Sequence, residues 1–92
     1  MDQTRQATAG TLESNDIYIA ISGNNSESGN NIVLESIVMK QFGAAIRAVI
    51  EACLADSSLW GVEVVAKDRG ALDWTIKARM ETAITRYKRL QP

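Results

Sequence analysis

Ser14 is the side chain most open to chemistry. It sits in Leu12-Glu13-Ser14-Asn15-Asp16, a polar stretch just ahead of the alternating run Ile17-Tyr18-Ile19-Ala20-Ile21. Ser, Asn and Asp bond to their own backbone at bends and Asn tolerates positive φ, so the stretch reads as an exposed turn. On residue types alone Ser14 is an ordinary turn serine. The chain has no histidine, which excludes a Ser-His-Asp triad and a His-based zinc site, and one cysteine cannot supply a thiolate cluster. Glu13 and Asp16 could be taken for an acid-base pair, but on a small exposed turn nothing would set their pKa values apart. They are expected to be solvated charges. A reversible anion site between two carboxylates would be repelled, whereas a covalent ester on Ser14 would tolerate them. No Gly-rich phosphate cradle follows a strand, so nucleotide binding by this chain alone is not expected.

The elements that must position Ser14 follow from periodicity. A short strand is expected from about Ala7 to Leu12, and Asp16–Ser22 alternates with Ile17, Ile19 and Ile21 on one face. The two would form a hairpin across Glu13 to Asp16, with a loop of two or four residues. Residues Met1–Gln6 are expected to fray, and Gly23–Asn31, without an apolar side chain, to form a mobile connection. A third strand is expected over Ile32–Ile37, with Ile32 and Leu34 inward. From Met39 to Asp56 the residues Phe42, Ala45, Ile46, Val49, Cys53 and Leu54 recur at helical spacing and predict one buried face. Gly61–Lys67 alternates as a fourth strand, Lys67-Asp68-Arg69-Gly70 reads as a turn, and Leu72, Ile76, Met80, Ala83, Ile84 and Tyr87 mark the inner face of a closing helix. Asp73 suits that helix's positive end, and Arg86, Lys88 and Arg89 its negative end. Strand, helix, strand implies a parallel crossover. The order β-β-β-α-β-α makes the fold class α+β, an antiparallel-rich mixed sheet with two helices packed on one face, in a single domain over residues 1–92.

Size and charge narrow the function. Ninety-two residues build one core and bury only about 60–65% of the unfolded surface. Up to Ala66 there are eight acids against three bases, and from Lys67 onward three against seven. A mildly basic, solvated last helix accounts for this, and docking between oppositely charged neighbours is the sharper alternative. Lys67 and Arg69 could likewise steady phosphates or form a solvated turn, and Trp60 and Trp74 read as anchors of a core edge. Cys53 among apolar residues reads as a buried thiol in a reducing compartment. Met1–Gly10 has no apolar stretch of a secretory signal, and no run nears the ~18 apolar residues of a spanning helix. Together these place the chain in the cytoplasm, away from membranes.

Three blocks in order, Gly10-Thr11-Leu12-Glu13-Ser14, Lys40-Gln41-Phe42-Gly43 and Gly70-Ala71-Leu72-Asp73, resemble the acyl carrier protein, or gamma subunit, of bacterial citrate lyase. The resemblance spans nearly all of the chain after the first few residues. It departs at Asn15, where Gly or Ser is usual, at Trp74, where Cys is common, and in the Gly23–Asn31 loop. It implies a covalently attached phosphoribosyl dephospho-coenzyme A on the Ser14 oxygen, installed by a dedicated transferase. The thiol of that arm would carry acetyl and citryl groups between alpha and beta subunits, which supply the catalysis that cleaves citrate to acetate and oxaloacetate. This chain would be a non-catalytic carrier. It differs from four-helix carriers, in which the modified serine opens a helix. The carrier of malonate decarboxylase bears a related arm, but with Gly before the serine, so Glu13 favours citrate lyase. A small RNA-binding or interaction module using the last helix is the reading from another class; its charge there is modest.

Overall fold

The computed structural model describes residues 5–24 and 29–91. The elements are β1 (Gln6–Ala9), β2 (Ile17–Gly23), β3 (Asn31–Ser36), α1 (Met39–Asp56), β4 (Val62–Asp68) and α2 (Asp73–Arg89). They form one four-stranded sheet in the order β1-β2-β4-β3. β1 and β4 run antiparallel to β2, while β3 and β4 are parallel, joined through α1. This is the α+β arrangement that the sequence order predicts.

Alternation explains why both helices share one face. Val62, Val64 and Ala66 of β4 are buried and the residues between them only half-buried. Across the ladder Val64 faces Ile21, Ala66 faces Ile19 and Asp68 faces Ile17, and the three isoleucines have no solvent access. Ile46, Ile50 and Leu54 of α1 and Ile76, Met80 and Ala83 of α2 close the same core. Each large aliphatic side chain so buried stabilises the fold by about 1.5–3 kcal/mol. α2 packs across β1 and β2, and α1 across β3.

Several boundaries differ from expectation. β1 stops at Ala9 because Gly10 turns to φ +87, where a Cβ would overlap the Ile17 carbonyl oxygen. The chain therefore leaves the ladder early, and Gly10–Asp16 forms a longer loop than a tight hairpin. Gln6 is paired with Ser22 rather than frayed, and residues 1–4 lie outside the described residues. Gly23 and Asn31 are strand residues, so the expected Gly23–Asn31 connection is shorter; its centre, 25–28, lies outside the described residues. Its flanks are pinned to the start of β4: the Asn24 N–H donates to Gly61 O at 2.9 Å, and the Val62 N–H to Asn30 Oδ1 at 3.0 Å. β4 runs one residue further than expected, so that Asp68 is a strand residue rather than part of a turn, and it starts at Val62 rather than Gly61.

The largest departure concerns apolar residues. Phe42 and Leu72, expected inside, are 52% and 54% exposed, and Trp60 and Trp74 are each 70% exposed. Ala45 is exposed as well. For the residues at the helix entrances, Phe42, Leu72 and Trp74, the reason is topological: β3 and β4 end side by side at Ser36 and Asp68, and both helices begin just beyond that end. Their first turns overhang the sheet.

Candidate functional site

The Ser14 turn, the entrance of α1 and the entrance of α2 all lie at this end of the sheet, where β2 begins and β3 and β4 finish. The turn is closed by the Asp16 N–H donating to the Glu13 carbonyl at 3.2 Å, with Asn15 left-handed at φ 66. After Gly, Asn is among the residues that take this conformation at least cost, so Asn15 suits the turn. The Asn15 N–H donates to Arg69 O at 2.8 Å, and the Arg69 N–H to Asp16 O at 2.9 Å. These bonds extend the β2–β4 ladder past its last pair, Ile17 and Asp68, and mount the turn on the β4–α2 junction.

Asp16 is not the solvated charge that the sequence suggests. It is 9% exposed and accepts four hydrogen bonds: from Thr11 Oγ1 at 2.7 Å, the Ile17 N–H at 2.7 Å, and Nε and Nη2 of Arg79 at 3.0 Å each. The Arg79 guanidinium, opposed only partly by desolvation, lowers its pKa from 3.8 to about 2. The paired carboxylate raises that of Arg79 in return. Asp16 therefore stays ionised and is no proton donor near neutral pH. Only Glu13 of the two flanking acids is an exposed, unneutralised charge, so the turn is less hostile to anions than its composition implies. Thr11 Oγ1 also accepts the Glu13 N–H at 3.2 Å, which locks the approach to Ser14.

Asp68 organises the other half of the site. At 2% exposure, it accepts the Ser36 hydroxyl at 2.7 Å and the N–H groups of Gly70 and Ala71 at 3.1 and 2.9 Å. Ser36 Oγ in turn accepts the Val38 N–H at 3.0 Å. One buried carboxylate thus sets both helix entrances, whose sequence blocks are Lys40-Gln41-Phe42-Gly43 and Gly70-Ala71-Leu72-Asp73.

Ser14 itself is exposed, and its hydroxyl makes no hydrogen bond among the described residues. A group attached there would meet no obstruction, and the turn beneath it is fixed on three sides. Arg69 is exposed beside it, whereas Lys67 is half-buried on the sheet. Trp74 stands at the rim of a groove of about 520 Å³ between the two helix entrances, and Trp60 lies at the other end of β4, over Gly29. Cys53 is 8% exposed in the core, and burial, then the charge of Glu81, push its thiol pKa up. It takes no part in the site. Thr11, Arg79 and Asp68 are the positioning residues that sequence reasoning missed. Asp68 carried a signal, since it continues the inward positions 62, 64 and 66; Arg79, 63 residues from Asp16, carried none.

The clamped turn thus presents the Ser14 hydroxyl to solvent, and among the described residues no group of three or more potential metal ligands is found; the class of protein, an acyl carrier, comes from its relatives. A family described as an acyl carrier protein, the malonate decarboxylase delta subunit (MdcD), matches residues 4–87. The citrate lyase acyl carrier protein of Lacticaseibacillus casei (strain BL23) is 54% identical over 86 residues, which cover 94% of this chain and 83% of that one. Those of Streptococcus mutans serotype c and Halothermothrix orenii are 44% identical over 91 residues (99% and 88% covered) and 43% over 86 (94% and 89% covered). The chain belongs to this family, the citrate lyase acyl carrier proteins, as the three sequence blocks imply. Membership carries a covalently attached prosthetic group with it. No helix among the described residues is long and apolar enough to cross a membrane.

Proposed function

We propose that Ser14 is the attachment point of a phosphoribosyl dephospho-coenzyme A arm and that the chain is the non-catalytic carrier subunit of a citrate lyase. The observation that carries this is the Glu13-Ser14 turn itself, matching the family's motif and holding a free, exposed hydroxyl on a clamped loop. In attachment, the Ser14 oxygen would bond to the phosphorus of a triphosphoribosyl precursor as diphosphate leaves, and the hydroxyl proton passes to solvent. The arm supplies a thiol able to hold acetyl and citryl as thioesters, a function that no side chain here provides. The chain contributes reach and orientation: the hydrogen bonds from Thr11, Arg79 and Arg69 keep the pivot still, so transfers between partner sites are effectively intramolecular. Alpha and beta subunits would provide catalysis, a separate transferase would install the arm, and the compartment would be the cytoplasm.

The family's description favours a second reading, the carrier of malonate decarboxylase. Glu13 before the serine and the 54% identity to a citrate lyase carrier support the first. Co-expression with arm-synthesising and transferring enzymes should add the mass of one arm, and Ser14→Ala should abolish the gain. An unchanged wild-type mass despite active installing enzymes, or a modified Ser14→Ala chain, would refute the assignment.

A further inference from the structure

The groove between the helix entrances is unexplained by attachment alone. Its walls are Phe42, Leu72 and Trp74, all more than half exposed, over a floor of Ile46 and Ala71. Ile37 and Met39, 65% and 44% exposed, continue the same end of the molecule. So much apolar surface in one place on a small chain marks a site that something covers. At about 520 Å³ the hollow lies within the roughly 300–1,000 Å³ typical of small-molecule sites. Its position is equally specific: the position of a Cβ on Gly70, in the groove wall, is 3.6 Å from Asn15 Oδ1, the residue after Ser14.

We propose that this groove holds the adenine base of the arm, stacked against Trp74 and Phe42; this rests on the Ser14 reading above. The lining chooses the part of the arm. Asp73 is the single charged side chain in it, so neither the phosphates nor a carboxylate-bearing acyl group is matched there, whereas a flat uncharged heterocycle is. The first-turn N–H groups of α2, which no side chain caps, border the same space and can donate to ring nitrogens. A base tethered next door is present at effective millimolar concentration, so modest stacking suffices to fill the groove. Seating the base fixes the root of the arm and leaves the thiol end free to travel.

The test compares the chain with and without the arm, using intact mass to score attachment and fluorescence and amide NMR to score the groove. Trp60→Phe leaves Trp74 as the sole tryptophan. Attachment should then lower the Trp74 emission and shift the amide signals of Phe42, Leu72 and Trp74, as stacking of a base on an aromatic side chain requires. Trp74→Ala should still gain the full arm mass on Ser14 while losing the shifts at Phe42 and Leu72. A full mass gain with unmoved groove signals overturns the groove proposal and leaves Ser14 standing. So do shifts that grow with protein concentration, which indicate a second copy, or that need a lyase subunit, which indicate a protein partner. No mass gain removes the arm and this proposal together.

Discussion

Asp16→Ala should destabilise the domain far more than removal of a turn aspartate ordinarily would, because the carboxylate is the knot that ties the Ser14 loop to α2. A pKa lowered from 3.8 to about 2 caps the pH-linked part at roughly 2.5 kcal/mol. Arg79 is 41% exposed, so solvent screening brings that to about 1–2 kcal/mol. Alanine also leaves the Thr11 hydroxyl and the Ile17 N–H with no acceptor at all, a cost of about 1 kcal/mol beyond the ionisation-linked part. The expected total is about 2–3 kcal/mol, or roughly 10–20 °C in Tm for a domain of this size. Because the folded pKa is depressed, the contribution is fully present above about pH 5 and is lost as pH falls through about 2, with about half gone by pH 3. Urea denaturation of wild type, Asp16→Ala, Arg79→Ala and the double variant at pH 7 should give a coupling of about 1–2 kcal/mol that shrinks by about half at pH 3. A coupling under about 0.3 kcal/mol, or one indifferent to pH over that range, would refute the reasoning.

Asp68→Ala should cost about 3 kcal/mol, because the Gly70 and Ala71 N–H groups and the Ser36 hydroxyl lose their acceptor together; slower urea unfolding or an unshifted midpoint would argue against it. Asp68→Asn, which keeps one acceptor oxygen, should lose visibly less in the same titration. Cys53 should react with iodoacetamide about tenfold or more slowly in the native chain than in urea, with its pH–rate curve displaced upward, since the buried thiol resists ionisation. Equal native and denatured rates would contradict its burial.

Periodicity carried most of the fold. The alternation of Ile17, Ile19 and Ile21 and of Val62, Val64 and Ala66 reports a sheet with one wet and one dry face, and helical spacing gave α1 its observed bounds. What periodicity cannot report is where a helix starts relative to the end of its sheet. Phe42 and Leu72 lie on the correct stripes and were read as core for that reason, yet the first turns of α1 and α2 overhang the strands and leave them at a rim. The exposed turn at Ser14 was legible through its polar residues, and the left-handed Asn15 through its tolerance of that backbone. The support of the turn was not. Asp16 and Thr11 look like any polar loop pair until Arg79 arrives from α2, because the chain brings them together only by folding.

That long-range tie sets an order of events. The serine is synthesised early, but the strut beneath it is 63 residues from Asp16, on the last helix. Until α2 has been made and packed, the loop that carries the hydroxyl lacks the Arg79 ion pair. Any partner that reads the shape around the hydroxyl would thus tell the packed domain from one whose α2 has come away, with no additional component.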